Sequence, residues 1–321
     1  MHRTLRPTLI ALSLAVLIAG CSQQQPAATA TPEATPAVAT TPAPATPAPA
    51  DSADIHRFRI GTLDAVALKD GDIEVPNDNK TFGVGEPVAD SNALLAAAGA
   101  PTDVLHLSIQ PLLVRDGERV LLFDTGAAGT DFGDVGKLQA SLRAAGVAPG
   151  QVTDIFISHT HDDHLGGLRD AQGALAFPNA TIHLAAAAWA ALQEKKEAAE
   201  MVAAITPKVQ AFAPGAALVP GVVTAVDLPG HTPGHTGYDI ASGDAHLLYI
   251  GDAMHHYVLS VQRPDWTLAW DADAATAKAT RRALLERAAA DRLRLYAGHF
   301  PFPGLGQVQA QGDGFAWVPE R

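Results

Sequence analysis

The sequence predicts an α/β fold, in which short buried strands alternate with helices. Strand candidates are short apolar runs, as at 153–158 and 222–228. Helix candidates are longer and rich in Ala, Glu, Lys and Arg, as at 272–290. A third signal is the Asp116-Gly117 pair between two apolar runs, which is typical of a tight hairpin turn. We therefore expect two β-rich halves with helices on the outside.

Local patterns define the first elements. The apolar runs 105–114 and 120–123 flank the Asp116-Gly117 turn, so they are predicted to be strands. Apolar residues then recur at helical spacing over 135–145, which predicts a helix. Gly146 follows this stretch and can supply the left-handed backbone that ends many helices.

The later predicted strands share one feature, which is that each runs into a histidine or an aspartate, usually beside glycine. These strands are 153–158, 222–228, 247–250 and 293–297, and the later helices are 185–204 and 272–290. A rigid strand end can hold a ligand side chain accurately, while the loop that follows leaves it accessible. We therefore expect the functional site at these strand ends.

Composition limits the classes of function. The chain has 321 residues, of which 47% are apolar, so it can fill a sizeable core. Its formal net charge of −12 argues against a nucleic-acid partner, because such sites neutralise phosphates with basic residues. A small-molecule substrate is compatible with this charge, and a homodimer is left open.

The first residues are predicted to be an export signal. Arg3 and Arg6 precede a largely apolar run at 9–19, which matches the basic and apolar regions of a secretory signal. That run is too short to span a bilayer. Ile18-Ala19-Gly20-Cys21 resembles a bacterial lipobox, whose cysteine becomes the lipidated first residue of the mature protein.

Cys21 is the only cysteine, so an internal disulfide and a paired thiolate metal site are both excluded. Ala, Thr and Pro dominate 22–50, a composition typical of a semi-extended tether. The sequence therefore predicts a lipoprotein signal peptide at 1–20, a lipidated cysteine with its tether at 21–54, and a folded domain at 55–321. We expect export, with lipid anchoring to a bacterial membrane that faces the periplasm or the cell exterior.

The motif that carries chemistry is Ser158-His159-Thr160-His161-Asp162-Asp163-His164. His159 and His161 are two apart at a strand end, so they point to the same side. Asp163 and His164 follow on the turn and can face a second ion. Imidazole and carboxylate ligands together suit Zn²⁺, Fe²⁺ or Mn²⁺ rather than a soft-metal site. A helix is expected to begin at the next pair, Gly166-Gly167, where small residues allow the backbone to approach the site.

Three further segments repeat the arrangement of a strand followed by a ligand residue. They are Pro229-Gly230-His231-Thr232, Gly251-Asp252 and Gly298-His299. In this order, with Phe123-Asp124-Thr125-Gly126 upstream, the motifs resemble the metallo-β-lactamase superfamily and its dinuclear site. The resemblance covers nearly all of 58–319. It implies an αββα sandwich, in which two β-sheets pack together with helices outside.

The resemblance also implies seven metal ligands. His159, His161 and His231 would hold the first ion, Asp163, His164 and His299 the second, and Asp252 would bridge both. Two divalent ions are implied, with zinc favoured and manganese or iron as alternatives. They would share a hydroxide and lower its pKa.

C-terminal segments resemble one branch of the superfamily, the methyl parathion hydrolase and acyl-homoserine lactonase-like proteins. The matching stretches are 251–255, Gln262-Arg263-Pro264, 298–306 and the tail 314–319. This resemblance implies a hydrolase that opens a lactone or carboxylic ester by attack of the metal-bridging hydroxide. Phosphotriester hydrolysis at the same site is the alternative. A lipoprotein that binds a small molecule or metal without turnover is an alternative of a different class.

Two residues are candidates for direct roles in the reaction. Asp163 could pass a proton to the leaving alkoxide. His255 lies three residues after Asp252, where related lactonases carry a tyrosine beside the oxyanion. It is interpreted either as a hydrogen-bond donor to the substrate or as an incidental pocket histidine.

The other conspicuous residues have supporting interpretations. Asp124 would orient a ligand imidazole or serve the turn structurally, and His235 would brace its loop. Core or surface positions are expected for His106, His183 and His246, while His56 is unassigned. An apolar pocket or the core would contain Met254, Trp266, Trp270, Phe300 and Phe302.

Overall fold

The structure, a computed structural model, describes residues 52–128 and 130–320. The predicted signal peptide, Cys21 and most of the predicted tether lie outside these residues. The first strand begins at Ile55. Within the described residues, no helix has both the length and the apolar character needed to cross a membrane.

Strands and helices alternate along the described chain. The strands are β1 (Ile55–Ile60), β2 (Leu63–Leu68), β3 (Gly71–Pro76), β4 (Val104–Ile109), β5 (Leu112–Asp116), β6 (Arg119–Phe123), β7 (Asp154–Ile157), β8 (Thr181–Ala185), β9 (Val209–Phe212), β10 (Ala217–Val219), β11 (Val223–Asp227), β12 (Thr236–Ser242), β13 (Ala245–Tyr249), β14 (Leu295–Tyr296), β15 (Leu305–Gln311) and β16 (Gly314–Pro319). The helices are α1 (Val88–Ala97), α2 (Leu138–Ala144), α3 (Asp162–Leu165), α4 (Ala186–Glu194), α5 (Ala199–Ile205), α6 (Leu259–Gln262) and α7 (Ala274–Asp291).

Two seven-stranded sheets dominate the architecture. The first has the order β1-β2-β5-β6-β7-β8-β9, and the second has the order β10-β11-β12-β13-β14-β15-β16. Strands β6 to β9 are parallel in the first sheet, as are β13 and β14 in the second. Helix α4 contacts the first sheet and α7 contacts the second. The predicted αββα sandwich is confirmed.

Aromatic side chains join the two sheets at the centre of the sandwich. Phe123 and Phe156 extend from the first sheet, and Tyr238 extends from the second, with ring centroids 4.9–5.6 Å apart. All three are fully buried. The Tyr238 hydroxyl also donates to the carbonyl of Ile157, at 2.6 Å. Because Ile157 ends β7, this contact fixes the strand that leads into the histidine motif.

The single strand predicted at 105–114 is wrong, because the chain breaks at Pro111 into β4 and β5. Proline has no N–H for the strand ladder. β4 pairs with β3 in a separate two-stranded sheet, whereas β5 joins the first large sheet. The side chain of Gln110 donates instead to the carbonyls of Ala297 and Phe300, at 2.9 and 2.8 Å. Gln110, at the break, therefore links the end of β4 to the segment that carries His299.

Two predicted helices have different bounds in the structure. The stretch 185–204 forms α4 and α5 with a short 3-10 turn between them, because Lys195 has an extended backbone with ψ 114°. This break allows residues of both helices to pack on one core. The helix predicted from residue 135 begins at Leu138, since Gly136 has a positive φ of 87° and donates its N–H to Asp70.

The helix predicted to begin at Gly166-Gly167 begins four residues earlier, inside the histidine motif. It is α3, which starts at Asp162, and the Gly166-Gly167 pair lies in the 3-10 turn that follows. A Cβ at Gly167 would lie 2.0 Å from the carbonyl oxygen of Thr125. The glycine is therefore needed for close contact between this turn and the Asp124-Thr125-Gly126 turn.

Candidate metal centre

The candidate centre lies where four strands end. β7 leads into the histidine motif, β11 into the turn that carries His231, and β13 and β14 into Asp252 and His299. Since β13 and β14 are parallel neighbours, their ends deliver these last two residues to the same edge. Gly251 makes the turn before Asp252, with a φ of 50°. A Cβ there would lie 2.7 Å from the Nε2 of His235, so a larger residue would displace this loop.

One cluster brings together His159, His161, His231 and Asp252, whose ligand atoms all lie within 4.8 Å of one another. The Nδ1 of His161 lies 3.0 Å from the Nε2 of His159 and 3.1 Å from the Nε2 of His231. The Oδ2 of Asp252 lies 3.5 and 3.4 Å from the same two Nε2 atoms. This set matches the ligands expected for the first ion, with the expected bridge included.

A second cluster brings together Asp163, His164 and His299. The Nε2 atoms of the two histidines are 3.3 Å apart, and the Oδ2 of Asp163 lies 3.3 and 3.4 Å from them. The Oδ1 of Asp252 lies 3.2 Å from each Nε2. All seven predicted ligand residues are thus brought together in two adjoining clusters.

The carboxylate of Asp252 lies between the clusters, with one oxygen toward each. It is 3% exposed, and its Oδ1 has no hydrogen-bond partner. Burial opposes ionisation, but His164, His299, His255 and His159 outweigh it and hold the pKa of Asp252 well below its usual range. An ionised carboxylate with an unpartnered buried oxygen is suited to a cation.

Of the five histidines among the predicted ligands, four have a neighbour within hydrogen-bond distance of Nδ1, the ring nitrogen that faces away from the cluster. The contacts are His159 Nδ1 to Ser158 Oγ (3.1 Å), His164 Nδ1 to Asp124 Oδ2 (2.7 Å), His231 Nδ1 to Asp271 Oδ1 (2.9 Å) and His299 Nδ1 to the Ser108 carbonyl (2.7 Å). A carboxylate or carbonyl partner makes Nδ1 the donor and leaves the lone pair of Nε2 facing the cluster. Such partners are typical of metal-ligating histidines, which they orient.

This donor set fits divalent metal ions. Burial lowers the pKa of His159 well below its usual value and lowers that of His161 to about 4, so both rings are neutral at pH 7. Two neutral ring nitrogens that face each other at 3.0 Å repel unless a proton or a cation lies between them. A cluster of imidazole and carboxylate donors without a thiolate suits zinc, manganese or iron.

Without metal ions, the histidines nearest the carboxylates are protonated more easily than an ordinary histidine is. Burial would lower the pKa of His164, but Asp252, Asp163 and Asp124 outweigh it and raise that pKa well above its usual value. The pKa values of His231 and His299 are also raised, with burial opposed mainly by Asp252. A divalent cation would displace these protons, because a ligating imidazole must be neutral.

Asp124 orients the second cluster, as the first of its two interpretations predicted. Its Oδ2 accepts from His164, from the Ser158 hydroxyl at 2.6 Å and from the Tyr249 hydroxyl at 2.7 Å. Its Oδ1 accepts the backbone N–H of Ser158 at 2.7 Å. The carboxylate therefore joins the Asp-Thr-Gly turn, the start of the histidine motif and the second sheet. Tyr249 was missed, because nothing local in the sequence distinguishes it from a core tyrosine.

Four further histidines have the loop, core or surface places expected of them. His235 donates from Nδ1 to the carbonyl of Leu228 and accepts the N–H of Asp252 at Nε2, both at 2.8 Å, so it has no nitrogen left for a metal. His183 is buried beside Asp154, at 2.9 Å. Two lie at the surface beside acidic residues, namely His106 with Glu74 and His246 with Asp239. His56 stacks on Phe58.

His255 lies against the centre. It is 1% exposed, its ring centroid is 4.8 Å from that of His231, and its Nε2 lies 2.9 Å from Asp252 Oδ2. Neither ring nitrogen has a well-aligned hydrogen bond. Burial lowers its pKa to about 4, so the ring is neutral at pH 7. The residue therefore places a neutral ring, with its Nε2 toward Oδ2, beside the carboxylate that both clusters share.

Only part of the predicted apolar pocket surrounds the site. Met254 and Phe300 are fully buried in a core cluster at the second sheet, which agrees with the core alternative for them. Trp270 is 38% exposed, with its ring 5.7 Å from that of His255 and 5.6 Å from that of Phe82. Trp266 and Phe302 are partly buried, Trp266 at the small core near Phe82 and Phe302 at the main core.

The centre opens to solvent on one side. Asp163 and His161 are partly exposed, whereas the other five predicted ligands are buried. His161 also lines a cleft of about 990 Å³ that continues along Leu165 and Met201. A cleft of this size is sufficient for a small organic molecule.

Asp271 and Arg281 are further residues that the sequence did not reveal as part of the site. Asp271 holds His231, and it is itself paired with the buried Arg281 at 2.9 Å. Asp273 caps the N-terminus of α7, and Asp271 lies two residues before it. In the sequence, Asp271 therefore looks like one of the acidic residues that commonly precede a helix.

Comparisons with known proteins agree with this geometry. The family model for the metallo-beta-lactamase superfamily matches residues 107–299. Probable metallo-hydrolases from Mycobacterium bovis and Mycobacterium tuberculosis are 27% identical over 207 residues. That match covers 50% of this chain and 65% of each relative, so the chain matches slightly less than two thirds of their length.

Two solved structures are similar over most of their length. One is AidC, a dizinc quorum-quenching lactonase in complex with a homoserine product, at 30% identity and a TM-score of 0.79, covering 84% of this chain and 98% of that one. The other is AbOPH, a hydrolase of the beta-lactamase superfamily, at 26% identity and a TM-score of 0.77, covering 85% and 99%. The family match, the sandwich fold and the clustered histidines and aspartates together show that this chain belongs to the metallo-β-lactamase superfamily.

Proposed function

We propose that this protein is a dinuclear metal-dependent hydrolase that opens a lactone or a carboxylic ester. The observation that carries the proposal is the position of Asp252, whose two oxygens face two separate clusters of ring nitrogens. Similarity to AidC, a dizinc lactonase, supports both the number of ions and the lactone substrate. Zinc is the favoured ion.

Ion binding and substrate activation are assigned to the seven clustered side chains. His159, His161 and His231 would hold one ion, Asp163, His164 and His299 the other, and Asp252 both. Two bound divalent ions would polarise the carbonyl oxygen of the substrate and lower the pKa of water. The substrate would enter from the side where His161 and Asp163 are partly exposed.

Proton transfer is assigned to Asp163. Burial opposes its ionisation, but His164 and His299 outweigh it and hold its pKa below the usual range, so the carboxylate is ionised at pH 7. An ionised carboxylate at the open side of the centre can take a proton from attacking water and deliver it to the departing alkoxide. The leaving group would then depart neutral.

His255 is assigned to the leaving oxygen of the substrate. Its neutral ring lies beside the shared carboxylate and could donate a hydrogen bond where negative charge develops. Trp270 and Phe82 pack against this ring and would limit its movement. A buried donor held in this way stabilises a developing oxyanion more than a mobile donor in water does.

A first prediction concerns metal content. The purified protein loaded with Zn²⁺ should contain about two equivalents per chain by elemental analysis. Asp252→Asn keeps the size of the side chain but removes the negative charge between the clusters, so its content should fall to one equivalent or less. Turnover should fall by about 10²-fold or more, since the site loses the template for its nucleophile.

His246→Ala is the control, because His246 pairs with an aspartate at the surface away from the centre. It should bind two equivalents with normal turnover. A wild-type protein that binds no more than one equivalent of Zn²⁺ at saturation would contradict the dinuclear proposal. So would an Asp252→Asn variant with two ions and normal turnover.

A second prediction separates substrate classes through His255→Phe, which keeps the ring but deletes its nitrogens. An alkyl lactone expels an alkoxide of high pKa, so kcat should fall by about 10²-fold, the scale for one positioned donor. A p-nitrophenyl ester or phosphotriester expels a good leaving group, and its kcat should fall much less.

Metal content is measured in the same preparations, because His255 adjoins Asp252. Equal losses on both leaving groups with two ions bound would limit His255 to shaping the pocket. A wild-type protein that turns over aryl phosphotriesters but neither lactones nor carboxylic esters would favour the organophosphate alternative. Metal binding without turnover of any of these would favour the non-catalytic lipoprotein.

A separate proposal concerns location. We propose that Cys21 carries a lipid anchor and that the tether holds the catalytic domain off the membrane, based on the lipobox-like segment and the Pro-rich stretch after it. Stable anchoring takes more than one acyl chain, which a multiply acylated N-terminal cysteine supplies. Cys21→Ser should move the protein from the membrane to the soluble fraction, with hydrolytic activity unchanged. Retention of the variant on membranes after a high-salt wash would contradict the lipobox interpretation.

A further inference from the structure

Arg281 on α7 is a buried cation that contacts three separate segments of the chain. It is 2% exposed. Its Nε donates to the carbonyl of Ala253 at 3.0 Å, and its Nη1 donates to the carbonyls of Pro264 and Trp266 at 3.1 and 3.3 Å. Its Nη2 donates to the Oδ2 of Asp271 at 2.9 Å. One guanidinium therefore makes four hydrogen bonds in a place without exposure to water.

Two of these acceptors belong to residues that adjoin proposed metal ligands. Ala253 directly follows Asp252, the carboxylate between the two clusters. Asp271 uses its other oxygen, Oδ1, to hold the Nδ1 of His231 at 2.9 Å. The segment from Pro264 to Trp266 leads to Trp270, which packs on His255. Arg281 is therefore separated from each of two proposed metal ligands, Asp252 and His231, by one intervening residue.

The backbone supports the same connection. The N–H groups of Ala272 and Asp273 donate to the carbonyls of His231 and Gly230, both at 2.9 Å. Gly230 has a φ of 120°, and a Cβ there would lie 2.2 Å from the backbone nitrogen of Ala277 in α7. The first turn of α7 is thus packed directly on the turn that carries His231.

The planar guanidinium explains why arginine occupies this position. A guanidinium presents five N–H groups in fixed directions, whereas the ammonium of lysine is a single compact donor group. Asp271 supplies the compensating charge, and its pKa is lowered, with burial opposed by His231 and Arg281. Without the guanidinium, the carboxylate would keep only its His231 partner in a buried place.

We propose that Arg281 is a positioning residue for the metal centre, which sets the ring of His231 through Asp271. It does not contact the proposed ions or the substrate, and the inference rests on the metal site of the proposed function. Since His231 belongs to one cluster only, loss of Arg281 should weaken one of the two ions much more than the other.

The test measures zinc affinity of the metal-free protein by competition with a chromophoric chelator, for wild type, Arg281→Lys and Arg281→Met. One of the two equivalents should bind about 10- to 100-fold more weakly in both variants, the usual effect of losing an outer partner of a metal ligand. The other equivalent should change by only a small factor. Asp271→Asn removes the charge with little change in size and should weaken the same equivalent.

Arg282→Met is the matched control, because Arg282 is the next residue on α7 and pairs with Asp265 at the surface. It should bind both equivalents as wild type does. Circular dichroism and thermal unfolding of each metal-free variant show whether the fold is kept. If Arg281→Met does not fold, Arg281→Lys and Asp271→Asn carry the test.

If the Arg281→Lys and Asp271→Asn proteins fold and bind both equivalents of zinc as tightly as wild type, Arg281 only stabilises the fold and the inference is overturned. Equal weakening of both equivalents would also overturn it. A wild-type protein that binds fewer than two equivalents would instead contradict the proposed dinuclear site, before any variant is compared.

Discussion

The carboxylate of Asp252 between two groups of imidazole nitrogens is the interaction on which the rest of the site depends. Its two oxygens lie 3.2–3.5 Å from four different Nε2 atoms. The residue is buried and ionised, so its charge must be balanced within the site. Protons on nearby histidines balance it in the protein alone, and cations would do so in the loaded enzyme.

Much of the surrounding structure positions this carboxylate. Gly251 provides the turn that precedes it, and His235 accepts its backbone N–H. On the opposite side, Asp124 connects the ring of His164 with Tyr249 of the second sheet. The aromatic layer between the sheets holds the strand ends from which these residues extend. The accuracy of the site thus comes from the sandwich rather than from the loops alone.

The seven clustered residues could be predicted because their order along the chain resembles that of the metallo-β-lactamase superfamily and the motifs that carry them follow predicted strands. The supporting partners could not, since Asp271, Tyr249 and Ser108 meet their histidines only through tertiary packing. The same limit explains the pocket. An apolar side chain such as Phe300 has the same appearance in the sequence whether it faces a substrate or, as here, the core. Pro111 is plain in the sequence, but the apolar residues on both sides of it gave no sign that the chain changes sheet there.

The central claim is that one carboxylate is shared by two metal ions. The most direct measurement is a crystal structure of the zinc-loaded protein, with anomalous diffraction recorded above and below the zinc absorption edge. The account predicts two zinc peaks per chain, one bound by Oδ1 of Asp252 and the other by Oδ2, with His299 at the first and His231 at the second. A single zinc peak, or two peaks of which Asp252 contacts only one, would contradict it.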